Sequence, residues 1–480
     1  MLWSPDSASL GFFAGARLKT IAIRGGRART LAPAPVPRGG TWSADGLIVF
    51  VPTPPSRLHQ VKAIGRDATP VETLPPSSCW FPSFLPDGRR LLCTRLNASR
   101  RVDALYIASL DSSETRTLVR TSGAGGSISQ GRLLYRREGE LVAQMLDPET
   151  FEVTGTPAMV APEVAAHPLT YQTLFSTSAD GTLAYLASRG GSRLIWYDRN
   201  GKEVGTIGAR GNYNSIALTR DEHRVFVDQA TPSGDVDIWM LDAASGAAAR
   251  LTYHEAVDFY PMVSPDGRRI VFGSLRAGTP ALFEQQPTAP GSETVLLQMP
   301  GVPVNTNQWS ADGRFIIHRA LHPSTGWDMW ALETTGQRRH IPLLQTAHDE
   351  RYGRLSDDSR WLAYSSNQTG SFEIYAQPFP GGGAIWQVSR GGGIEPQWRR
   401  DGRELFYLSP DKTLMAVDMP VSDGRLRPGM PKALFSTHAT AWEGIGNQYQ
   451  AGADGTRFLV NRLPDDAAAT PVAVILSARF

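Results

Sequence analysis

The sequence predicts an all-β protein, a β-propeller of four-stranded blades, on three observations. A hairpin turn of the form Ser-x-Asp-Gly recurs along the chain, its copies lie about 40–50 residues apart, and each is followed by further short apolar strands. The clearest copy is Ser264-Pro265-Asp266-Gly267, flanked by Phe259-Tyr-Pro-Met-Val263 and Arg269-Ile-Val-Phe272. Each turn residue has a reason to be there. Pro265 presets φ, Asp266 can bond back to the backbone, and Gly267 takes a left-handed conformation at little steric cost.

In chain order the turns are Ser4-Pro-Asp-Ser7, Ser43-Ala-Asp-Gly46, Leu85-Pro-Asp-Gly88, Ser178-Ala-Asp-Gly181, Thr219-Arg-Asp-Glu222, the copy at Ser264, Ser310-Ala-Asp-Gly313, Ser356-Asp-Asp-Ser359, Arg399-Arg-Asp-Gly402 and Gly452-Ala-Asp-Gly455. Ser129-Gln-Gly131 fills one further slot without an aspartate, making eleven units. After each hairpin comes a third strand, as in Leu194-Ile-Trp-Tyr-Asp198, Asp237-Ile-Trp-Met-Leu-Asp242, Asp328-Met-Trp-Ala-Leu332 and Glu373-Ile-Tyr-Ala-Gln377. A short fourth strand often follows, such as Ala249-Arg-Leu-Thr252 or Trp386-Gln-Val-Ser389. Four antiparallel strands in that order make one propeller blade.

At 480 residues the chain exceeds one ordinary core. Hydrophobic residues at 41% and charged residues at 20% describe a soluble globular protein, and a net charge of +2 argues against nucleic acid or an acidic membrane surface as partner. No apolar run approaches the ~20 residues of a membrane helix. Met1-Leu-Trp-Ser-Pro-Asp6 lacks the basic and apolar regions of a signal peptide, so this chain alone is expected to stay cytoplasmic. It also opens inside a hairpin, which suggests a fragment, a domain cut from a longer parent, or a misplaced start codon. If the chain is part of a longer membrane-anchored parent, its location is periplasmic or extracytoplasmic.

Eleven blades exceed the four to eight of one ring. The expected division is a partial ring over residues 1–168, of about four blades, and a complete seven-bladed ring over 169–480. The linker is sought in 155–168, although Thr156–Ala161 could instead supply the strand that closes the second ring. Of the two cysteines, Cys79 precedes the expected strand Trp80–Phe84 and Cys93 lies in its hairpin partner Arg89–Arg95. If the register pairs residues summing to 172 they can form a cross-strand disulfide, whereas one residue of slip leaves two buried thiols, the blander expectation.

The blade variants carry a resemblance. The Ser-Pro-Asp-Gly hairpins followed by Asp-Ile-Trp-type strands resemble TolB-type, WD-like propeller repeats. More specific variants are Leu194-Ile-Trp-Tyr-Asp-Arg-Asn-Gly-Lys202, Tyr364-Ser-Ser-Asn-Gln-Thr-Gly370, Glu373-Ile-Tyr-Ala-Gln-Pro-Phe-Pro380 and Trp398-Arg-Arg-Asp-Gly-Arg-Glu-Leu-Phe-Tyr407. Their order is similar to the C-terminal propeller of bacterial receptor-type serine/threonine kinases. That resemblance implies a sensor or interaction module outside the membrane. The chain carries no kinase and no membrane helix, so kinase activity does not transfer.

The residues argue against an enzyme. His318-Arg319 continues as Ala320 where a kinase catalytic loop needs aspartate, and no Gly-x-Ser-x-Gly elbow occurs. His254-Glu255 is not followed by the histidine of a zincin, and no Asp-Gly turn continues as an EF-hand. No cofactor or metal is called for. A propeller lyase or hydrolase with its site at a channel mouth is the remaining enzymatic alternative.

Binding is expected where loops precede the first strand of each blade. In the second ring these are Gly211-Asn-Tyr-Asn214, His254-Glu-Ala-Val-Asp-Phe-Tyr260, Val304-Asn-Thr-Asn307, Thr346-Ala-His-Asp-Glu-Arg-Tyr352, Gly391-Gly-Gly-Ile-Glu395 and Glu443-Gly-Ile-Gly-Asn-Gln-Tyr449. His254, Asp258, His348, Glu350, Arg351 and Glu395 are the candidates to line one mouth and hold a peptide, glycan or protein tail. The competing reading is ordinary loop polarity, with the carboxylates tied to neighbouring backbone. Trp239, Trp330, Trp386 and Trp398 recur within strands and are expected to pack between sheets.

Overall fold

The computed structural model describes residues 1–480 except 54–55, 66, 98–100, 168–169, 179, 189–190, 232–234, 323, 440–445, 464–471 and 477–480. Every regular element among them is a strand, and no helix is long and apolar enough to cross a membrane. The chain is an all-β propeller protein, and it divides into two compact units. One holds Met1–Ser188 with Pro232–Gly234 and Thr470–Phe480, the other Arg189–Thr231 with Asp235–Ala469.

The turns form as their residues dictate. Ser264 Oγ donates to Asp266 Oδ1 at 2.5 Å and accepts from Arg269 N at 2.9 Å, while Asp266 Oδ1 also accepts from Arg268 N at 3.1 Å. The same hydroxyl–carboxylate bond recurs at Ser310 and Asp312, Ser356 and Asp358, and Thr219 and Asp221. Gly267 has φ +67°, the left-handed value its place in the turn demands.

The first unit has four four-stranded sheets in series (blades 1–4). Their innermost strands are Leu2–Trp3, Gly40–Trp42, Trp80–Phe84 and Ser127–Ser129. Val153–Ala161 is the outer strand of blade 4. Blade 5 pairs Phe175–Thr177 with Leu183–Leu186, and then with Val472–Ile475 from the far end of the chain. Apolar clusters fill each gap from blade 1 to blade 5.

Cys79 and Cys93 form a disulfide with Cα atoms 5.0 Å apart, which corrects the expectation of two thiols. The simple register is absent. The pairing slips between Leu92 and Thr94, opposite Phe81, whose φ is +49°, and this bulge carries Cys79 within reach of Cys93. The bridge closes a short loop, so reduction is expected to destabilise the first unit by about 3 kcal/mol. Urea unfolding followed by limited proteolysis, with and without reductant, checks this, and cleavage within the second unit should not move.

The second unit has six blades. Blade 6 begins with residues 212–218, the second half of the long strand Glu203–Leu218. Blades 7–10 begin with Asp258–Val263, Val304–Trp309, Glu350–Leu355 and Ile394–Trp398. Blade 11 is assembled from both ends of the unit: Tyr449–Ala451, Arg457–Arg462, then Ser192–Asp198 and the first half of Glu203–Leu218. A separate apolar cluster fills each of the six gaps, including that between blades 11 and 6. The inner strands touch in the same cyclic order, so the ring is closed.

The eleven units are therefore grouped five and six, against the expected four and seven. Leu194–Asp198 does occupy a third-strand position, but in blade 11, because its partner Arg457–Arg462 arrives from the chain's other end. The fifth hairpin takes Val472–Ile475 as its third strand instead. The expected boundary itself, Pro168 and Leu169, lies outside the described residues.

Candidate functional site: the axial channel of the second unit

Five of the six inner strands enter the ring through a bulge. The register slips at Tyr213/Ser215, Phe259/Met262, Thr306/Gln308, Arg351/Arg354 and Ile394/Gln397. Tyr260, Tyr352 and Glu395 occupy the same place in the repeat, four residues before the turn, and share φ values of +54° to +57°. A bulge of this kind re-aims the side chains around it.

At the loop end the six candidates are held by local contacts. His254 is exposed, and its Nδ1 accepts from Ala256 N at 2.9 Å. Asp258 is fully buried and paired with Arg276 at 2.7 Å; burial outweighs that cation and pushes its carboxyl up to about 6. Glu350 accepts from Thr346 Oγ1 at 2.5 Å and is pushed by burial up to about 7. Glu395 accepts from Gln448 N at 2.7 Å and is pushed by burial up to about 8. Arg351 pairs with Asp349 at 2.9 Å and lies over Phe372, and His348 is half-buried beside Thr346. Among the described residues no hydrogen bond or ion pair joins two of the six. Glu443 to Ile445 of the sixth loop lie outside the described residues.

The acidic residues that begin the third strands are anchors for these loops. Glu373 accepts from Gly391 N at 3.0 Å and Gly392 N at 2.9 Å, and Asp237 pairs with Arg250 at 2.8 Å. Thr252 and Ser389 then cap the strand from the side, accepting from Ile238 N and Ile374 N. The tryptophans Trp239, Trp330, Trp386 and Trp398 pack against the inter-blade clusters.

A cavity of about 160 Å³ opens at the other end of the channel, beside the Ser-x-Asp turns, and all six blades line it. The position two residues before each turn is held by Ala217, Met262, Gln308, Arg354, Gln397 and Gln450 in ring order. Gln308 accepts from Leu355 N at 2.5 Å and donates to Leu355 O at 3.3 Å, clasping blade 8 to blade 9. Gln397 accepts from Ala451 N at 3.0 Å and donates to Tyr449 O, and Gln450 donates to Ile216 O at 3.2 Å. These clasps tie blades 10, 11 and 6 together.

Arg354 reaches across the channel. Its guanidinium donates to Asn307 O of blade 8 and, at 2.6 Å, to Asn447 Oδ1 at the entry to blade 11, and Trp398 Nε1 donates to Arg354 O at 3.1 Å. Arg354 is 8% exposed; burial lowers its pKa to about 10, which leaves it charged at neutral pH. At the rim Arg220 pairs with Asp357 at 2.7 Å, joining blades 6 and 9, which stand opposite each other in the ring. The closure is tight: Asn447 N donates to Ser215 Oγ at 3.0 Å, and a Cβ on Gly446 would meet Ser215 Cβ at 2.2 Å.

No family model matches the chain. Similar solved structures include a TolB-type protein from Agrobacterium tumefaciens, 14% identical, with a TM-score of 0.44 over 56% of this chain and 97% of that one. TolB from Acinetobacter baumannii is 15% identical, with a TM-score of 0.41 over 63% of this chain and 79% of that one. The tricorn protease is 12% identical, with a TM-score of 0.36 over 90% of this chain and 47% of that one. Such distant likenesses carry no functional weight; the propeller fold stands on the sheet topology and the inter-blade clusters.

The sequence points to a mouth at the loops, whereas the cavity lies beside the turns and is lined by the amides and the arginine two residues before them. Alignment on the turn aspartates puts Gln308, Gln397 and Gln450 in one column, a signal that an internal strand polarity disguised.

Proposed function

We propose that this chain is a non-catalytic ligand- or protein-binding propeller, a sensor or scaffold module of a bacterial envelope protein. Its second unit offers the axial channel to an extended segment of a peptide, glycan or protein partner. One observation carries the reading: a single cavity is bounded by all six blades and braced by side-chain amides that bond strand to strand. Binding there requires little reorganisation, because the wall is already fixed. The mechanism is rigid presentation, with no bond made or broken. The blade order similar to receptor-kinase propellers supports a sensor role and a place outside the cytoplasmic membrane.

Equilibrium retention of a tryptic digest of serum albumin by the full chain tests this reading, with the peptides identified by mass spectrometry. Retained peptides are expected intact, and retention should fall when Met262→Trp fills the channel. Newly cleaved peptides would favour the hydrolase alternative, and retention unaffected by Met262→Trp would move the site elsewhere.

A further inference from the structure

We propose that the axial cavity is a carboxylate site in which Arg354 is the fixed cation and Arg220 the exchangeable one, and that the ligand is a carboxylate borne by an extended peptide. This deepens the channel-binding reading and rests on it.

The first observation is a buried cation that forms no ion pair among the described residues. The well-buried guanidinium of Arg276 faces the carboxylate of Asp258 at 2.7 Å. Arg199, Arg250 and Arg269 likewise each meet an acid. Arg354 instead donates to neutral acceptors, the Asn307 carbonyl and the Asn447 amide. A buried charge without a counter-charge is costly, and an anion arriving in the cavity offsets that cost. Glu395 lies near enough to be felt, but it forms no ion pair with Arg354; one of its carboxyl oxygens accepts from Gln448 N, and burial favours its neutral form.

The second observation is that a carboxylate already sits in the mouth. Asp357 lines the cavity and holds Arg220 across it, with both side chains partly exposed. An incoming carboxylate exchanges with Asp357 on Arg220 and, further in, meets the Arg354 guanidinium, whose planar fork suits two carboxylate oxygens. Met262, Trp309 and Trp398 supply apolar wall for the carbons behind it. About 160 Å³ holds a carboxylate and a short aliphatic stem, and excludes a folded domain. The carboxylate can belong to a peptide C-terminus or to a glutamate or aspartate side chain.

Calorimetric titration of the full chain with three pentapeptides tests the proposal: acetyl-Ala-Gly-Ala-Gly-Ala as the free acid, the same peptide as the amide, and acetyl-Ala-Gly-Glu-Gly-Ala amide. At least one carboxylate peptide should bind saturably and the neutral amide should not; which one binds identifies the source. Arg354→Gln should weaken that binding about 30-fold or more. Asp357→Asn, which frees Arg220 without touching Arg354, should tighten it several-fold, and this variant carries the test if Arg354→Gln does not fold. Failure of both carboxylate peptides to bind overturns the proposal, as does unchanged affinity in the two variants. Equal binding of the neutral amide, lost in Met262→Trp, overturns the carboxylate assignment while leaving the channel reading intact.

Discussion

Phe458→Ala is expected to destabilise the second unit by about 3–5 kcal/mol, the cost of emptying a large aromatic site in a packed core. Phe458 is fully buried on the strand Arg457–Arg462, edge-on to Phe406 at 4.9 Å and 6.0 Å from Phe435. It belongs to the cluster between blades 10 and 11, so the cavity would open where the two ends of the unit are joined. The strand behind it, Ser192–Asp198, is hydrogen-bonded on that side to Arg457–Arg462, and its Ile195 and Tyr197 share the cluster with Phe458. Loosening one gap therefore loosens the closure. Urea unfolding read by tryptophan fluorescence checks the magnitude, and a loss below about 1 kcal/mol would mean the gap is not the packed core described.

The second large effect is a fall in stability of the second unit as pH rises above neutrality. Asp228, Asp258, Glu350 and Glu395 are pushed by burial up to about 7, 6, 7 and 8. A carboxyl whose native pKa is raised contributes stability that is complete below its unfolded pKa and is lost as pH rises through the native one. Histidines whose pKa is lowered by lost hydration work the other way. His318, lowered to about 3, and His254 and His340, also lowered, contribute stability above about 6.5 that is lost in acid. The two sets oppose each other below pH 6.5, and above it only the carboxyls act. Each pH unit over which the native state alone holds one such proton costs about 1.4 kcal/mol. The second unit should therefore lose about 3 kcal/mol between pH 6.5 and 8.5. Glu395→Gln keeps an acceptor for Gln448 N and should remove most of the loss above pH 7. In the first unit the shifted aspartates are lowered and His167 is lowered to about 4, so its stability should not fall over the same range.

What was legible in the sequence is what local chemistry determines. The Ser264–Asp266 bond needs only neighbouring residues, and it appears wherever the sequence repeats it. The repeat period and the third-strand motifs then led to the propeller and to the eleven blades. Ring closure depends instead on residues more than two hundred positions apart, such as Tyr197 opposite Phe458, and nothing near Leu194 says which blade it joins. The same limit explains the disulfide, which needs a bulge at Phe81 that no turn residue signals. The candidate site was half legible. Asp258, Glu350 and Glu395 read as loop acids, and they are buried, each with a local partner for one carboxyl oxygen. Arg354 is not legible as a channel residue, because an arginine within a strand reads as outward-facing until a closed ring turns it toward the axis.

Closure of the second unit by its two ends underlies the channel and everything proposed for it. Native-state hydrogen exchange on the full chain tests it most directly, by comparing the amides of Arg457–Arg462 with those of Glu404–Leu408 in the neighbouring blade. If the ring is closed, both strands open with the same free energy, that of unfolding the whole unit. Exchange of Arg457–Arg462 through a much easier opening, with Glu404–Leu408 still protected, would show a frayed end in place of a closed ring.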